Sequence, residues 1–373
     1  MVPEVLRGWK DMVRKSPSVV VAMSGGVDSS AAAVVLAEEG YKVIAVTFRM
    51  WEEDRAYDAA GPAARCSPAA VEEAAAVARL LDVEHAVIDL RERFQALIVE
   101  PFALQYLRGR TPNPCVECNR LLKFPTLVEV AEELGADIVA TGHYARTCLD
   151  EAGDHSLLRA RDRSKDQSYV LYGMGREHLS RCLFPNGDSS KSEVRKKALA
   201  RGFDGMEGGE SQEICFLCGE SYGDFISRRY PEALSPGPIL DTAGEKLGEH
   251  RGIAFHTVGQ RHGLGISAPH PMYVVALDAS RRAVIVGKRD EVPGTWLRAD
   301  LPHWVKGEPP ADAFAAEVMA RYNTTPEPCR VELCESGFEL TCGSRVWALT
   351  PGQHAVLYRG DEVLGGGVIA SVG

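Results

Sequence analysis

The sequence of 373 residues has no apolar run of membrane-spanning length, and its first 18 residues lack a hydrophobic signal segment. Positive charge is in deficit, because 42 Lys and Arg residues stand against 52 Asp and Glu residues, for a net charge of −10. That balance argues against nucleic-acid binding by bulk electrostatics, although it permits a local basic patch. The sequence also shows no internal repeat. These absences predict a globular cytoplasmic protein without a membrane partner, and the length predicts two or three domains.

A glycine-containing segment, Ser-Gly-Gly-Val-Asp-Ser-Ser at residues 24–30, joins an apolar strand to an alanine-rich helix. Its glycines let the backbone approach an anion, and the first N–H groups of the helix favour negative charge. Asp28 suits either a helix cap or a Mg²⁺ ligand. The segment has neither the dinucleotide-binding glycine spacing nor the Walker ending. It resembles the PP-loop of N-type ATP pyrophosphatases; a plain glycine-rich turn is the alternative.

Strand and helix patterns alternate from residue 19 to about residue 141, with strands at 43–48, 83–89 and 137–140 and a helix at 68–81. This alternation predicts an α/β fold with a doubly wound parallel sheet, which binds ligands at the carboxyl ends of its strands. After about Gly219 short β-like runs follow, including 251–253 and 345–349, with no helical period. We therefore expect a catalytic domain at 1–219, a small β-rich domain at 220–292 and a C-terminal β-barrel at 293–373.

Cysteine is the second strong signal in this sequence of ten cysteines. Cys115-x-x-Cys118 lies in a proline-rich segment, 109–120, that predicts a loop, and Cys215-x-x-Cys218 forms a second pair. Two distant pairs of this kind can ligate Zn²⁺, hold an iron–sulfur cluster or supply thiolates for sulfur transfer. The other cysteines show no partner spacing, and most are predicted to be buried apolar fillers: Cys66, Cys148, Cys182, Cys329, Cys334 and Cys342.

Polar residues mark three further places. His143 follows a predicted strand, so it either projects into the ligand cleft or is a hydrogen-bonded surface histidine. The run from Lys165 to Tyr169 is typical of a solvated turn. Basic patches at Arg108 with Arg110, at Lys191 with residues 195–197, and at Arg228 with Arg229 are candidate phosphate-binding surfaces or solvated helix faces.

Short blocks of sequence, taken in order along the whole chain, resemble those of the tRNA-specific 2-thiouridylase (MnmA) family. The blocks that carry the resemblance are 23–30, 51–54, 110–114, 118–119, 123–124, 140–144, 165–169, 214–216, 257–265, 301–304, 321–322, 351–353 and 364–367. The resemblance implies a PP-loop ATPase that replaces the C2 oxygen of the wobble uridine by sulfur in tRNAs for Lys, Glu and Gln. It implies ATP and Mg²⁺ as cofactors, tRNA as partner, and an upstream sulfur donor such as a cysteine desulfurase or a sulfur relay protein.

The resemblance also assigns roles to individual residues. Cys118 matches the nucleophile and Cys215 the persulfide carrier, which would end the reaction joined by a disulfide bond. The positions that match the ATP site are Ala22, Met23, Ser24, Gly25, Gly26, Val27, Asp28, Ser29, Phe48 and Gly142. The positions that match tRNA contacts are Asn113, Pro114, Cys115, His143, Lys165, Asp166, Gln167, Arg321, Tyr322 and Gln353.

Two positions depart from the family pattern. Residue 115 is Cys where relatives carry Asp, and Cys218 has no counterpart in the pattern. The same reaction could therefore use an iron–sulfur cluster on Cys115, Cys118 and Cys215. A PP-loop ligase or amidotransferase acting on a small molecule, and a Zn²⁺-stabilised RNA-binding module, are the alternatives from other functional classes.

Overall fold

The structure, a computed structural model, describes residues 17–51, 68–150, 153–201 and 214–373. Residues 52–54 of the family pattern and Cys66 lie outside the described residues. Within the described ranges, no helix is both long enough and apolar enough to cross a membrane.

A five-stranded parallel sheet forms the centre of the first region. Its strand order is β3-β2-β1-β4-β7, and the buried valines of the middle strand β1 pair with β2 on one side and β4 on the other. This confirms the predicted doubly wound α/β fold. The strands of residues 17–201 are β1 Ser18–Ala22, β2 Lys42–Arg49, β3 Glu84–Asp89, β4 Ile138–Thr141, β5 Ala145–Leu149, β6 His155–Arg159 and β7 Cys182–Leu183.

The α-helices of the described residues are α1 Val27–Glu38, α2 Pro68–Leu80, α3 Arg91–Phe94, α4 Glu100–Leu107, α5 Pro114–Cys118, α6 Phe124–Leu134, α7 Ser168–Leu171, α8 Arg176–Ser180, α9 Lys191–Ala200 and α10 Tyr222–Arg229. Helices α1, α2 and α6 pack on the parallel sheet, and α9 packs on α1. Single π-helical turns, Gln95–Val99 and Asn119–Lys123, join α3 to α4 and α5 to α6. Such turns occur frequently at functional sites.

The loop predicted at 109–120 is correct only as far as Asn113. Helix α5 begins at Pro114, and the Asn113 side chain accepts hydrogen bonds from the Cys115 and Val116 amides at 3.1 and 3.4 Å. Proline is well suited to the first position of a helix, since its missing N–H would have no partner there. The prolines and Asn113 therefore start a helix that carries both cysteines.

Two β-rich regions follow. A four-stranded sheet of order β10-β11-β8-β9 consists of β8 Gly237–Asp241, β9 Lys246–His250, β10 Tyr273–Asp278 and β11 Ala283–Gly287. A six-stranded antiparallel barrel, closed by pairing of β12 with β17, consists of β12 Trp296–Trp304, β13 Ala313–Met319, β14 Glu327–Cys334, β15 Gly337–Cys342, β16 His354–Arg359 and β17 Glu362–Val372. The predicted C-terminal barrel is thus confirmed.

Three local predictions in these regions are wrong. Residues 251–253 form no strand, because a 3₁₀ turn occupies Ile253–Phe255. Residues 345–349 form no strand either, since Ala348 has a left-handed φ of 55°. Helix α10 lies where no helical period was expected; it is short, is capped by Ser221 and buries Phe225 and Ile226.

The barrel and the first region share a sheet and a hydrophobic cluster. The β5–β6 hairpin extends the barrel sheet, since β6 pairs with β17 at Leu158 and Glu362 and the Arg159 amide donates to the Asp361 carbonyl at 2.8 Å. Barrel residues Val356 and Tyr358 belong to the same hydrophobic cluster as the core of the first region. The limits of the three domains stay a prediction.

Candidate functional site

A cavity of about 560 Å³ lies at the carboxyl end of the parallel sheet, within the size range of small-molecule sites. The ends of β1, β2 and β4 form one side, and α5, the 3₁₀ turn at Cys215 and the barrel form the other. The predicted site residues that line it are Ala22, Met23, Ser24, Asp28, Ser29, Phe48, Gly142, Asn113, Pro114, Cys115, His143, Lys165, Gln167, Tyr322, Gln353 and Cys215. The remaining predicted residues lie behind or beside its wall: Gly25, Gly26, Val27, Cys118, Asp166 and Arg321.

The PP-loop is fixed by hydrogen bonds among its own residues. The Ser24 amide donates to Ser29 Oγ at 3.1 Å, and Ser29 Oγ donates to the Gly26 carbonyl at 2.9 Å. Gly25 has φ 73°, and a Cβ there would lie 2.6 Å from the Ala70 carbonyl oxygen. Gly26 is the N-cap of α1 and has no side-chain cap, so Asp28 lies in the first turn and does not cap the helix. The uncapped first amides are suited to bind an anion.

Asp28 joins the PP-loop to a cation from a distant helix. Asp28 Oδ1 accepts hydrogen bonds from the Tyr144 hydroxyl at 2.7 Å and from Lys191 Nζ at 2.6 Å. Lys191 is the first residue of α9 and lines the cavity. The sequence placed Lys191 in a basic surface patch; its position instead puts an ammonium group beside the expected pyrophosphate site.

Gly142 lies directly against the PP-loop. A Cβ on Gly142 would lie 2.6 Å from the carbonyl carbon of Asp28 and from the amide nitrogen of Ser29. The buried Asn186 amide bridges the two segments, since Nδ2 donates to the carbonyls of Asp28 at 2.8 Å and Gly142 at 3.0 Å. The sequence gives no sign of this role, because Asn186 lies in no motif. Its amide nevertheless fixes the spacing between the PP-loop and the block at 140–144.

Two cysteine side chains line the cavity, and a third lies behind them. Cys115 and Cys215 face the space, whereas Cys118 is only 5 % exposed. Burial raises the pKa of Cys118 to about 12, and the enclosing protein raises the pKa of Cys115 to about 11 although its side chain is exposed to the cavity. Lys123 lowers the pKa of both thiols, and Cys215 raises both. Because the thiolate is the nucleophile, reaction requires a further source of positive charge or a base.

His143 carries no charge at neutral pH. Burial, and then Lys123, lower its pKa to about 3. Its Nδ1 lies 2.8 Å from Thr141 Oγ1, and its ring packs against Phe124 and Phe184. His143 can therefore offer a hydrogen bond to a neutral group such as a base, but it cannot neutralise a phosphate.

The barrel holds the segment that carries Cys115. Gln353 is only 8 % exposed, and its Nε2 donates to the carbonyls of Thr111 at 2.8 Å and Pro112 at 3.4 Å. The Thr111 amide in turn donates to the Pro351 carbonyl at 2.9 Å. The Gln353 amide group is thus engaged within the protein, where it fixes one wall of the cavity.

Asp166 and Arg321 are also engaged internally. The buried Asp166 carboxylate accepts from Arg159 Nε at 2.8 Å and from the Ala160 amide at 3.0 Å. Arg321 Nη2 donates to Thr350 Oγ1 at 3.3 Å. Tyr322, by contrast, is exposed at the cavity rim.

The side chains around the cavity fit Mg²⁺ better than they fit an iron–sulfur cluster or Zn²⁺. In the part of the chain that the structure describes, no group of three or more His, Cys, Asp or Glu side chains is placed to hold a metal ion. Cys115, Cys118 and Cys215 therefore do not fit an iron–sulfur cluster in this arrangement, and the two C-x-x-C pairs do not fit a zinc site. The single carboxylate of Asp28 fits Mg²⁺, which commonly binds one protein carboxylate together with phosphate and water oxygens.

Three family profiles together match nearly the whole chain. The profile described as tRNA methyl transferase HUP domain matches residues 17–219, the tRNA methyl transferase PRC-barrel domain matches 223–288, and the aminomethyltransferase beta-barrel domain matches 295–369. The matched ranges follow the parallel sheet, the four-stranded sheet and the closed barrel in order.

Curated relatives match over similar lengths. The tRNA-specific 2-thiouridylase MnmA of Moorella thermoacetica is 45 % identical over 357 residues, which cover 95 % of this chain and 99 % of that protein. The same-named protein of Heliobacterium modesticaldum is 44 % identical, covering 94 % and 92 %, and that of Chloroflexus aurantiacus is 44 % identical, covering 95 % and 98 %. The chain therefore belongs to the tRNA-specific 2-thiouridylase (MnmA) family and is a tRNA sulfurtransferase.

Proposed function

We propose that the protein uses ATP to replace the C2 oxygen of the wobble uridine by sulfur in cytoplasmic tRNAs for Lys, Glu and Gln. The observation that carries the proposal is the shared cavity, which brings the PP-loop, the Asn113–Cys115 segment and Cys215 around one space. An ATP-splitting site alone would not need the two cysteines at its wall.

The first step would activate the base oxygen. A uracil carbonyl oxygen is a poor leaving group, so O2 first attacks the α-phosphorus of ATP. The bond to the β-phosphate breaks, pyrophosphate leaves, and the O2–AMP ester that forms can later lose AMP as a good leaving group. The uncapped amides of α1 and the ammonium groups of Lys191 and Lys123 would bind the phosphates, with Phe48 beside the adenine. Mg²⁺, when bound at Asp28, would add positive charge to the pyrophosphate.

Sulfur transfer would then use two thiols. The terminal sulfur of a Cys215 persulfide attacks C2, and AMP leaves with the C–O bonding electrons. The Cys118 thiolate next attacks Cys215 Sγ and breaks the S–S bond, whose electrons stay on the sulfur attached to C2. After protonation at N3, the products are 2-thiouridine and a Cys118–Cys215 disulfide, which a dithiol reductant returns to two thiols. A cysteine desulfurase or a sulfur relay protein would supply each new persulfide sulfur.

The cavity rim would bind the RNA. We assign direct contacts to Lys165 and Tyr322, because both line the open space, and base recognition to the neutral His143. We assign indirect roles to Asp166, Arg321 and Gln353, since their polar groups bond within the protein. Single-stranded RNA bases are commonly stacked on aromatic side chains and hydrogen-bonded at their edges.

An anaerobic assay with iron-free protein tests the proposal. Protein loaded with persulfide is mixed with ATP, Mg²⁺ and an unmodified tRNA transcript, and 2-thiouridine, AMP and pyrophosphate are quantified. We expect the three products in equal amounts. A transcript with cytidine at the wobble position is the matched substrate control, and Cys334→Ser is the matched cysteine control.

Two results would contradict the proposal. AMP formation with a small acceptor and without tRNA would indicate a ligase. Thiolation that appears only after reconstitution with iron would replace the persulfide pathway by the cluster pathway.

A further inference from the structure

We propose that Trp347 and Arg289, together with the turn that carries Arg261 and His262, form a second tRNA-binding surface outside the cavity. We call these four residues the Trp347 platform; its expected ligand is a base face of the same tRNA away from the target uridine. The inference rests on the proposed function, because it assumes that tRNA is the substrate.

Trp347 is exposed where a tryptophan is usually buried. Its side chain is 40 % exposed, although one side is supported by neighbouring groups. The Arg289 guanidinium lies 5.1 Å from the indole centroid, and the Tyr273 ring meets the indole edge-on at 5.5 Å. An indole that contacts an arginine and a tyrosine and stays exposed is a supported stacking surface with charge beside it.

The backbone beneath Trp347 is constrained so that the side chain points outward. Ala348 has a φ of 55°, a left-handed conformation that residues other than glycine seldom adopt. Gly259 has φ 86°, and a Cβ there would lie 2.5 Å from Ala348 Cβ and 3.5 Å from Trp347 Nε1. The glycine-containing block at 257–265, to which the cavity gives no role, therefore supports the tryptophan.

The platform is continuous with the cavity wall. Thr350, three residues after Trp347, accepts a hydrogen bond from Arg321, and Gln353 holds the Thr111–Pro112 backbone. From the other side, Thr111 Oγ1 donates to Thr257 Oγ1 at 3.3 Å. An RNA whose uridine enters the cavity past Tyr322 would therefore extend over this surface.

The charge of the platform fits an anionic ligand, and its exposed indole favours an RNA base over an acidic peptide. Arg261, His262 and Arg289 are all exposed, although the whole chain is acidic. The nearby Glu291 carboxylate is engaged by the Lys288 amide at 2.6 Å and by the Thr242 hydroxyl at 2.8 Å. Aromatic rings beside arginines are the usual means of binding unpaired nucleotides, and a local cluster of this kind needs no positive net charge.

Direct binding of full-length tRNA tests the platform independently of catalysis. The Kd of the full chain for an unmodified tRNA transcript is measured by filter binding at fixed salt, for the wild type and for Trp347→Ala, Trp347→Phe and Arg289→Ala. We expect Trp347→Ala to raise the Kd about tenfold, Trp347→Phe to retain most of the affinity, and Arg289→Ala to raise the Kd severalfold. Leu149→Ala, a change at a 63 % exposed apolar residue of β5, is the matched control and should bind like the wild type.

Steady-state kinetics provide a readout that a merely structural role would not produce. For Trp347→Ala we expect a higher KM for tRNA, with the KM for ATP and the kcat at saturating tRNA unchanged. An unchanged Kd in both Trp347→Ala and Arg289→Ala would overturn the inference and leave the proposed function intact. Tight tRNA binding without any 2-thiouridine from the wild type would instead reject the proposed function.

Discussion

Residues 111–123 and residues 214–218 each bring a cysteine to the wall of the cavity, but they are held in different ways. The first segment is capped by Asn113, clamped by Gln353 and fastened by Asn119, whose Nδ2 donates to the Val170 carbonyl at 2.9 Å. The second is one 3₁₀ turn that ends at Cys218 in a left-handed conformation with φ 48°.

The second segment depends chiefly on a side chain. Phe216 is 1 % exposed and packs against Trp51, Phe94 and Phe102, with ring centroids 6.0, 5.7 and 5.1 Å away. Backbone anchors fix the first segment, whereas aromatic packing fixes the second. Under the proposed function, the first segment would fix where the base lies and the second would present the sulfur to it.

Replacing each cysteine should separate their roles most sharply. We expect Cys215→Ser and Cys118→Ser each to reduce thiolation by about a thousandfold or more, since each removes a sulfur that forms a bond. They should differ in what accumulates: Cys118→Ser should trap a tRNA joined to Cys215 through a disulfide, and Cys215→Ser should trap none. Non-reducing gels with and without dithiothreitol measure this; full turnover by Cys118→Ser would contradict the assigned order of steps.

Truncating the aromatic anchor should affect the second segment through folding stability. Phe216→Ala should lower the free energy of unfolding by about 3–5 kcal/mol, because it leaves a cavity among buried rings. Phe216→Leu should restore part of this stability and of the thiolation rate. Urea denaturation gives the comparison, with Leu149→Ala as surface control. A Phe216→Ala protein as stable as the wild type would show that this packing is not what holds Cys215.

Removing the clamp on the first segment should have a smaller effect. Gln353→Ala leaves the carbonyls of Thr111 and Pro112 without their donor and should cost about 1–3 kcal/mol of stability. We expect kcat to fall about tenfold as Cys115 and its neighbours lose their fixed position. The kcat of Gln353→Glu should fall as well, because glutamate is similar in size but lacks the amide donor. A higher KM for tRNA with unchanged kcat would instead support the direct tRNA contact predicted from the sequence.

The smallest expected effect is on thiol reactivity. Because the pKa of Cys115 is about 11, the thiolate fraction and hence alkylation by iodoacetamide should rise about tenfold for each pH unit from 7 to 10. Lys123→Met should slow alkylation about threefold at any pH in this window, since Lys123 lowers that pKa. Peptide mass spectrometry gives the rates. A plateau below pH 9 would contradict the raised pKa.

The sequence predicted the parts of the site that are built locally. The PP-loop, the strand that precedes it and the helix that follows are contiguous in the chain, so glycine placement and apolar runs were sufficient. The proline-rich segment was mistaken for a loop because the same residues that break a helix interior also start a helix.

The roles that the sequence did not predict depend on contacts between residues that are far apart along the chain. Lys191 meets Asp28 across 163 residues, Asn186 meets it across 158, and Gln353 meets Thr111 across 242. No periodicity or spacing encodes such pairs. The sequence could therefore single out Gln353 as a candidate site residue, but it could not show that the amide group of Gln353 binds the Thr111 and Pro112 carbonyls.

The strand pairing between β6 and β17 has a consequence for synthesis on the ribosome. β17 is the last strand of the barrel, and the cluster containing Tyr169 and Tyr172 is completed by Val356, Tyr358 and Val363. The nascent first region therefore emerges long before its last packing partners do. A chain that stopped before β16 would leave β6 paired only with β5 and Tyr169 without part of its cover, so the first region completes its core only when the barrel strands are present.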